Sequence, residues 1–360
     1  MTAPALRATR PPAQSDLAIE AHGLVKRFKR LRGYRDLALY PFRERSIVAL
    51  DGVDLSVRSG ELFGLLGQNG AGKTTLIRIL STTLLPSAGQ ASVGGFDVVR
   101  QAGEVRGRIG LAQADERSFY WRLTGRQNLE YFAALFHVEA GVARERVERL
   151  LDLLDLREQA ETPFQAMSTG TRHKFGIIRA LLGEPRILFL DEPTRSLDPI
   201  SASIVRRFVR EHVVGELGTT VVLATHSLAE AEALCDRLAV VHRGRIVAGG
   251  TPGELRARFA REAGCVIEVR APAPAIAQRL GTVPGVAAVR SEERDGVLRL
   301  DVTFAPTGSL RAVLAGLLAV DVEVVSVADR QPTLEDVYLR TLAEPASDDG
   351  PASVAPAGPP

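Results

Sequence analysis

One run of eight residues, Gly67-Gln68-Asn69-Gly70-Ala71-Gly72-Lys73-Thr74, constrains this chain more than any other part of it. It satisfies every fixed position of the phosphate-loop pattern G-x-x-x-x-G-K-[ST]. An apolar run over 62–66 leads into it, and a stretch of helical character over 75–80 leads out. The chemistry needs that context. Glycines let the backbone curl so that successive N–H groups face an anion, and the helix N-terminus adds partial positive charge. Gly67, Asn69, Gly70, Ala71, Gly72 and Thr75 then line a phosphate cradle. Lys73 reaches the β- and γ-phosphates, and Thr74 ligates Mg²⁺.

Composition narrows the rest. At 360 residues the chain is longer than one typical domain needs, so two are expected. A net charge of only +2 gives no field that argues for nucleic acid. Cys235 and Cys265 make neither a disulfide framework nor a metal spacing, and read as two reduced thiols. Residues 1–16 lack the apolar core of a signal peptide. No run approaches the ~18 apolar residues of a membrane span, so any action at a membrane needs a partner that spans it.

From 17 to about 260 the pattern is α/β, with a helical insert at about 114–182. Buried strands are expected at 109–112, 187–190, 220–224 and 238–241. Helices are expected at 125–136, 142–154, 171–182, 199–216 and 228–234. Over 261–343 the order becomes β-α-β-β-α-β: strands at 266–269, 286–290, 297–302 and 322–327, helices at 274–280 and 309–318. That is the ferredoxin-like order, closed by a helix over 332–342. The ends, 1–16 and 344–360, are rich in Ala, Pro, Ser and Asp and read as disordered. A basic segment at 29–48 reads as a solvated loop or as a contact with a membrane partner or lipid headgroups.

A second element joins the phosphate loop. Ile187-Leu188-Phe189-Leu190-Asp191-Glu192 delivers two adjacent carboxylates to the C-terminal end of an apolar strand, where α/β sheets bind ligands. Asp191 is placed to hold Mg²⁺ and Glu192 to polarise an attacking water. The segment Met167-Ser168-Thr169-Gly170-Thr171 opens a helix whose free N-terminus suits an anion. Ala224-Thr225-His226-Ser227 ends a neighbouring strand with a histidine able to sense a γ-phosphate.

In chain order the phosphate loop, the Ser168-x-Gly170 segment, the Asp191-Glu192 strand, Ser196-Leu197-Asp198 and Thr225-His226 together resemble the nucleotide-binding domain of ATP-binding cassette (ABC) transporters over about 18–250. The resemblance implies a P-loop NTPase fold of ABC type with a helical insert, followed here by a small α+β ferredoxin-like domain. It implies Mg²⁺-dependent ATP hydrolysis in a head-to-tail dimer. Ser168 and Gly170 match the segment that caps the γ-phosphate of the opposite subunit. Asp198 matches the loop that crosses that interface, His226 the switch histidine, and Phe28 the aromatic that stacks on adenine, with Tyr34 as a rival. Gln113 matches a glutamine that touches Mg²⁺ and the attacking water, although by simple alignment it stands one position early and Ala114 takes the expected slot. The signature reads Ser168-Thr169-Gly170-Thr171 where the family usually has Ser-Gly-Gly-Gln. Arg195 stands where many relatives carry a small or polar residue.

The segment 331–338 resembles the C-terminal end of ATPase subunits from drug, lipid and polysaccharide exporters. The expected function is therefore an ATPase subunit that powers a separate transmembrane permease from the cytoplasmic face of the membrane, for export, without nucleic acid. The alternative is a soluble ABC-type ATPase acting on DNA or ribosomes. A GTPase is disfavoured, since no Asn-Lys-x-Asp guanine motif occurs. Phe119-Tyr120-Trp121-Arg122 in the insert is the expected docking surface for the permease; the competing reading folds these aromatics back onto the local core.

Overall fold

The computed structural model describes residues 16–29, 46–113, 118–259, 264–270, 273–294, 297–305, 308–318 and 322–330. The expectations for the two chain ends, most of the basic segment with Tyr34, Ala114, the closing helix and the 331–338 segment lie outside them. The chain divides into two compact units between Thr251 and Pro252.

Among its described residues the first unit carries ten strands: β1 (Leu17–Lys29), β2 (Ser46–Arg58), β3 (Leu62–Leu66), β4 (Ala88–Val93), β5 (Phe96–Asp97), β6 (Ile109–Gln113), β7 (Ile187–Asp191), β8 (Thr220–Thr225), β9 (Arg237–His242) and β10 (Arg245–Gly250). Six form one sheet in the order β10-β9-β3-β8-β7-β6, parallel except for the hairpin strand β10. Every residue of β3, β7 and β8 is buried, which is why these strands read as unbroken apolar runs rather than alternating ones. The other four make an antiparallel sheet in the order β2-β1-β4-β5. Its Ile19, Leu24 and Val53 share one core with Phe63, Leu65, Phe189 and Val222 of the parallel sheet and with Leu76 and Ile79 of the helix Lys73–Leu80. Each such side chain contributes about 1.5–3 kcal/mol by leaving water.

The insert contains helices Gly125–Leu135, Ala140–Leu153, Arg157–Ala160 and Thr169–Leu181. Thr124 and Gln127 cap the first reciprocally, so two backbone donors at its start are satisfied. The expected helix over 199–216 is α-helical only over Pro199–Arg207; Phe208–Glu216 winds as a wider π-helix with Phe208, Val209 and Val213 buried.

The second unit contains β11 (Gly264–Arg270), helix Ala273–Gly281, β12 (Val286–Arg294), β13 (Val297–Phe304), helix Leu310–Leu318 and β14 (Glu323–Arg330). The sheet order is β12-β13-β11-β14 with every neighbouring pair antiparallel, the ferredoxin-like arrangement. Alternate residues Cys265, Ile267 and Val269 of β11 meet Leu298, Leu300 and Val302 of β13 in its core, together with Ile276, Leu280, Val313 and Leu317 from the helices. Helix Pro252–Phe259 falls with this unit, whereas the sequence pattern assigns it to the first.

Candidate active site

Four parallel strands end level with one another. Leu66 of β3 stands opposite Thr225 of β8, Asp191 of β7 opposite Ala224, and Gln113 of β6 opposite Asp191. Their C-terminal loops therefore converge. The phosphate loop leaves β3 and enters the helix Lys73–Leu80 through Gly72, whose φ is 115°. A Cβ there would lie 2.7 Å from the Ala49 carbonyl oxygen, so only glycine fits. Lys73 is buried, and its ammonium donates to the carbonyl oxygens of Gly67 (2.5 Å) and Gln68 (3.2 Å). It sits 3.7 Å from Glu192 Oε1. Burial pushes the Lys73 ammonium below its usual range, while the Glu192 and Asp191 carboxylates pull it back up.

Asp191 and Glu192 are only 7% and 8% exposed. Burial holds the Asp191 carboxyl above the usual carboxylate range, opposed first by a hydrogen bond from the Thr74 hydroxyl. Glu192 has φ 57°, a left-handed conformation uncommon outside glycine, which turns the chain sharply off β7. Its N–H donates to the Ala224 carbonyl at 2.9 Å, and its Oε2 accepts from His226 Nδ1 at 2.5 Å. Asp191 Oδ1 and Glu192 Oε1 are buried with no hydrogen-bond partner. The orphaned Asp191 oxygen beside the Thr74 hydroxyl is a hard oxygen donor, and that pair fits a divalent cation such as Mg²⁺. A cavity of about 190 Å³ lies over them, walled by the phosphate loop from Gln68 to Thr75, both carboxylates, Ala49 and Arg195.

The remaining predicted residues fall in two groups. Gln113 ends β6 beside Asp191. Phe28, 40% exposed, pairs with Ile47 on β2. Neither of these two lines the cavity. Ser168, Gly170 and Asp198 do not line the cavity. Ser168 is the exposed N-cap of helix Thr169–Leu181, its Oγ accepting from Thr171 N–H at 3.1 Å. Asp198 caps the next helix by accepting from Ile200 and Ser201 N–H at 3.0 and 2.9 Å, and those bonds lower its pKa. Gly170 packs against Leu197: a Cβ on it would come within 2.8 Å of Leu197 Cδ2. The signature helix and the loop before Asp198 are thus one packed surface.

Residues 50–195 match the model of the ABC transporter family. Over 300 residues the chain is 43% identical to the daunorubicin resistance ATP-binding protein DrrA3 of Streptomyces coeruleorubidus, covering 82% of this chain and 92% of that one. This chain belongs to the ABC transporter ATP-binding subunits. A second such relative, the daunorubicin/doxorubicin resistance ATP-binding protein DrrA of Streptomyces peucetius, is 37% identical over 93% of this chain and 95% of its own. Among solved structures, a dimeric ATP-binding cassette, MJ0796, in a post-hydrolysis state with ADP and phosphate shares the fold. Its TM-score is 0.56 at 21% identity, over 65% of this chain and 98% of that one. As an ABC-type ATP-binding subunit of the drug-exporter branch, the chain is an ATPase. The relatives give no support to the DNA or ribosome alternative.

In this ABC subunit the aromatic loop of the insert splits. Phe119 folds inward, stacked on Phe164 at 4.3 Å between ring centroids. Tyr120 and Trp121 stay half exposed, with Arg172 over the Trp121 ring at 4.8 Å. Tyr131, Leu135 and Phe136 of the first insert helix are exposed as well. Asn128, fully buried, fixes the loop: its Oδ1 accepts from Tyr120 N–H at 2.8 Å, and its Nδ2 donates to the Tyr120 and Thr124 carbonyls at 3.0 Å each. Sequence reasoning missed Asn128 and Ala49. For Asn128 the signal was a polar residue one helical turn from Phe132 on an otherwise apolar face.

Proposed function

We propose that two copies of this chain bind two ATP molecules head to tail, close, and drive a separate membrane-spanning permease that exports a drug-type cargo from the cytoplasmic side. The observation that carries this reading is the division of the motif residues. The cavity collects Lys73, Thr74, Asp191 and Glu192, while Ser168 and Gly170 lie outside it on an exposed helix end. A second copy supplies what one chain lacks. Among the described residues no helix is long and apolar enough to cross a membrane. The relatives named for daunorubicin and doxorubicin resistance support the drug-type cargo.

In this reading the phosphate-loop N–H groups and Lys73 grip the β- and γ-phosphates, and Phe28 stacks on adenine. Thr74, Asp191 and Gln113 would hold Mg²⁺, which neutralises phosphate charge and polarises the γ-phosphate. Glu192 takes the proton of the attacking water through Oε1. His226 holds Oε2, so the carboxylate is fixed with its free oxygen toward the cavity. Transport follows because ATP binds the closed pair better than the open one, and hydrolysis removes that difference. The exposed Tyr120 and Trp121 meet the permease. Replacing both by Ala should weaken permease binding at least several-fold and leave ATP affinity intact; equal loss of both would remove the docking role.

Glu192→Gln tests the chemistry. ATP turnover should fall by about 10²–10⁴-fold while nucleotide binding persists. Turnover unchanged in Glu192→Gln would remove Glu192 as the base.

A further inference from the structure

Arg195 is the departure from the family pattern that the mechanism leaves unused. Its backbone is held from both sides. Its N–H donates to the Glu192 carbonyl at 3.1 Å, and its own carbonyl accepts from His173 Nδ1 at 3.0 Å. His173 is buried in the signature helix, so that bond ties Arg195 to a rigid support. The flanking residues Glu192 and Ser196 both have left-handed φ, 57° and 70°, which sets the loop's path. Arg195 is exposed, lines the cavity and has no carboxylate partner among the described residues. The other charged side chains of that wall are one ammonium, Lys73, against two carboxylates, Asp191 and Glu192. The cavity is therefore short of positive charge for a polyanion, and Arg195, three residues after Glu192, is an arginine in its wall without a carboxylate partner among the described residues.

We propose that Arg195 is a phosphate-contacting residue of its own subunit, gripping the terminal phosphate of ATP with its planar fork of N–H donors. Guanidinium chemistry suits this role, because the group stays charged and meets phosphate oxygens two at a time. The contact depends on position. The cradle over Gly67–Thr74 holds the β- and γ-phosphates from its own side, whereas Arg195 follows Glu192, where only the γ-phosphate must lie for water to reach it. Arg195 therefore discriminates ATP from ADP. This inference rests on the ATPase reading of the cavity.

The test is calorimetric titration of the full-length protein with Mg²⁺-ADP and with a non-hydrolysable Mg²⁺-ATP analogue, on fractions verified as monomeric. Arg195→Ala should weaken the ATP analogue about tenfold and ADP by less than about twofold, and Arg195→Lys should recover part of the loss. Three results would overturn the proposal. The analogue's affinity stays within about twofold of the parent; both nucleotides weaken alike; or the monomer binds normally and only ATP-driven pairing is lost, which would put Arg195 in contact with the second copy. Lys73→Ala separates this from the parent reading. If it leaves both affinities intact, the cavity is not the nucleotide site, whatever Arg195 does.

Discussion

The end of β7 and the start of the signature helix carry the two most informative motifs after the phosphate loop, and they are built on opposite principles. At the end of β7, Asp191 and Glu192 are buried, two of their oxygens lack partners, and Glu192 sits in a left-handed backbone conformation. At the start of the signature helix, Ser168 is exposed and its hydroxyl acts as an ordinary helix cap. The first region stores unfavourable free energy, in desolvated charge and in a strained backbone. The second is a relaxed helix terminus, with donors left over for something outside the chain. In the proposed dimer the first region would be the prebuilt half of a shared site and the second the half that is merely presented.

That contrast can be broken at several points. Asp191→Asn carries the largest effect: turnover should fall by about 100-fold or more, since the proposed cation would lose a charged ligand, yet the nucleotide-free protein should become more stable. About 1 kcal/mol of relieved burial raises the melting temperature roughly 2–4 °C in a domain of this size. The gain has a pH signature. Burial raises the Asp191 pKa in the folded state. The folded protein therefore takes up this proton at a higher pH than the unfolded chain does. The penalty on stability is full above the raised pKa and gone below the ordinary carboxylate value near ~3.9. The melting difference between parent and Asp191→Asn should accordingly shrink as pH falls toward about 4; a difference independent of pH would contradict the assignment of strain to that carboxylate. Ser168→Ala should act in the opposite sense and more weakly. Losing the cap costs about 1 kcal/mol, a fall of roughly 2–4 °C, with the monomer's nucleotide affinity unchanged. A loss of monomer affinity would mean that Ser168 serves its own chain's cavity.

Much of this was legible in the sequence because it rests on local chemistry. The phosphate loop, the Asp191-Glu192 pair and the β-α-β-β-α-β order of the second unit follow from spacing and apolar runs. What stayed hidden depends on tertiary constraint. β1 and β2 pair through several register shifts, which break the alternation that marks a half-buried strand. The left-handed Glu192 and Ser196 leave no compositional trace, because neighbours rather than glycine hold them there. The change from α- to π-winding at Phe208 has no glycine or proline beside it; Gly215 stands seven residues further on. Phe119, Tyr120 and Trp121 look alike in sequence; Asn128, eight residues after Tyr120, holds the loop so that the first turns inward and the others outward.

The central claim is that one chain's cavity is completed by another chain's signature segment, and subunit mixing tests it most directly. Lys73→Ala disables a chain's own cavity, and Ser168→Glu places a carboxylate where the second copy's phosphates would sit. Each variant alone should be inactive. Mixed in equal amounts, about half of the pairs hold one of each, and each mixed pair has one intact site of two, so turnover should return to about a quarter of the parent value. If the mixture stays as inactive as its components, each chain uses its own Ser168 and the account of a shared site is wrong.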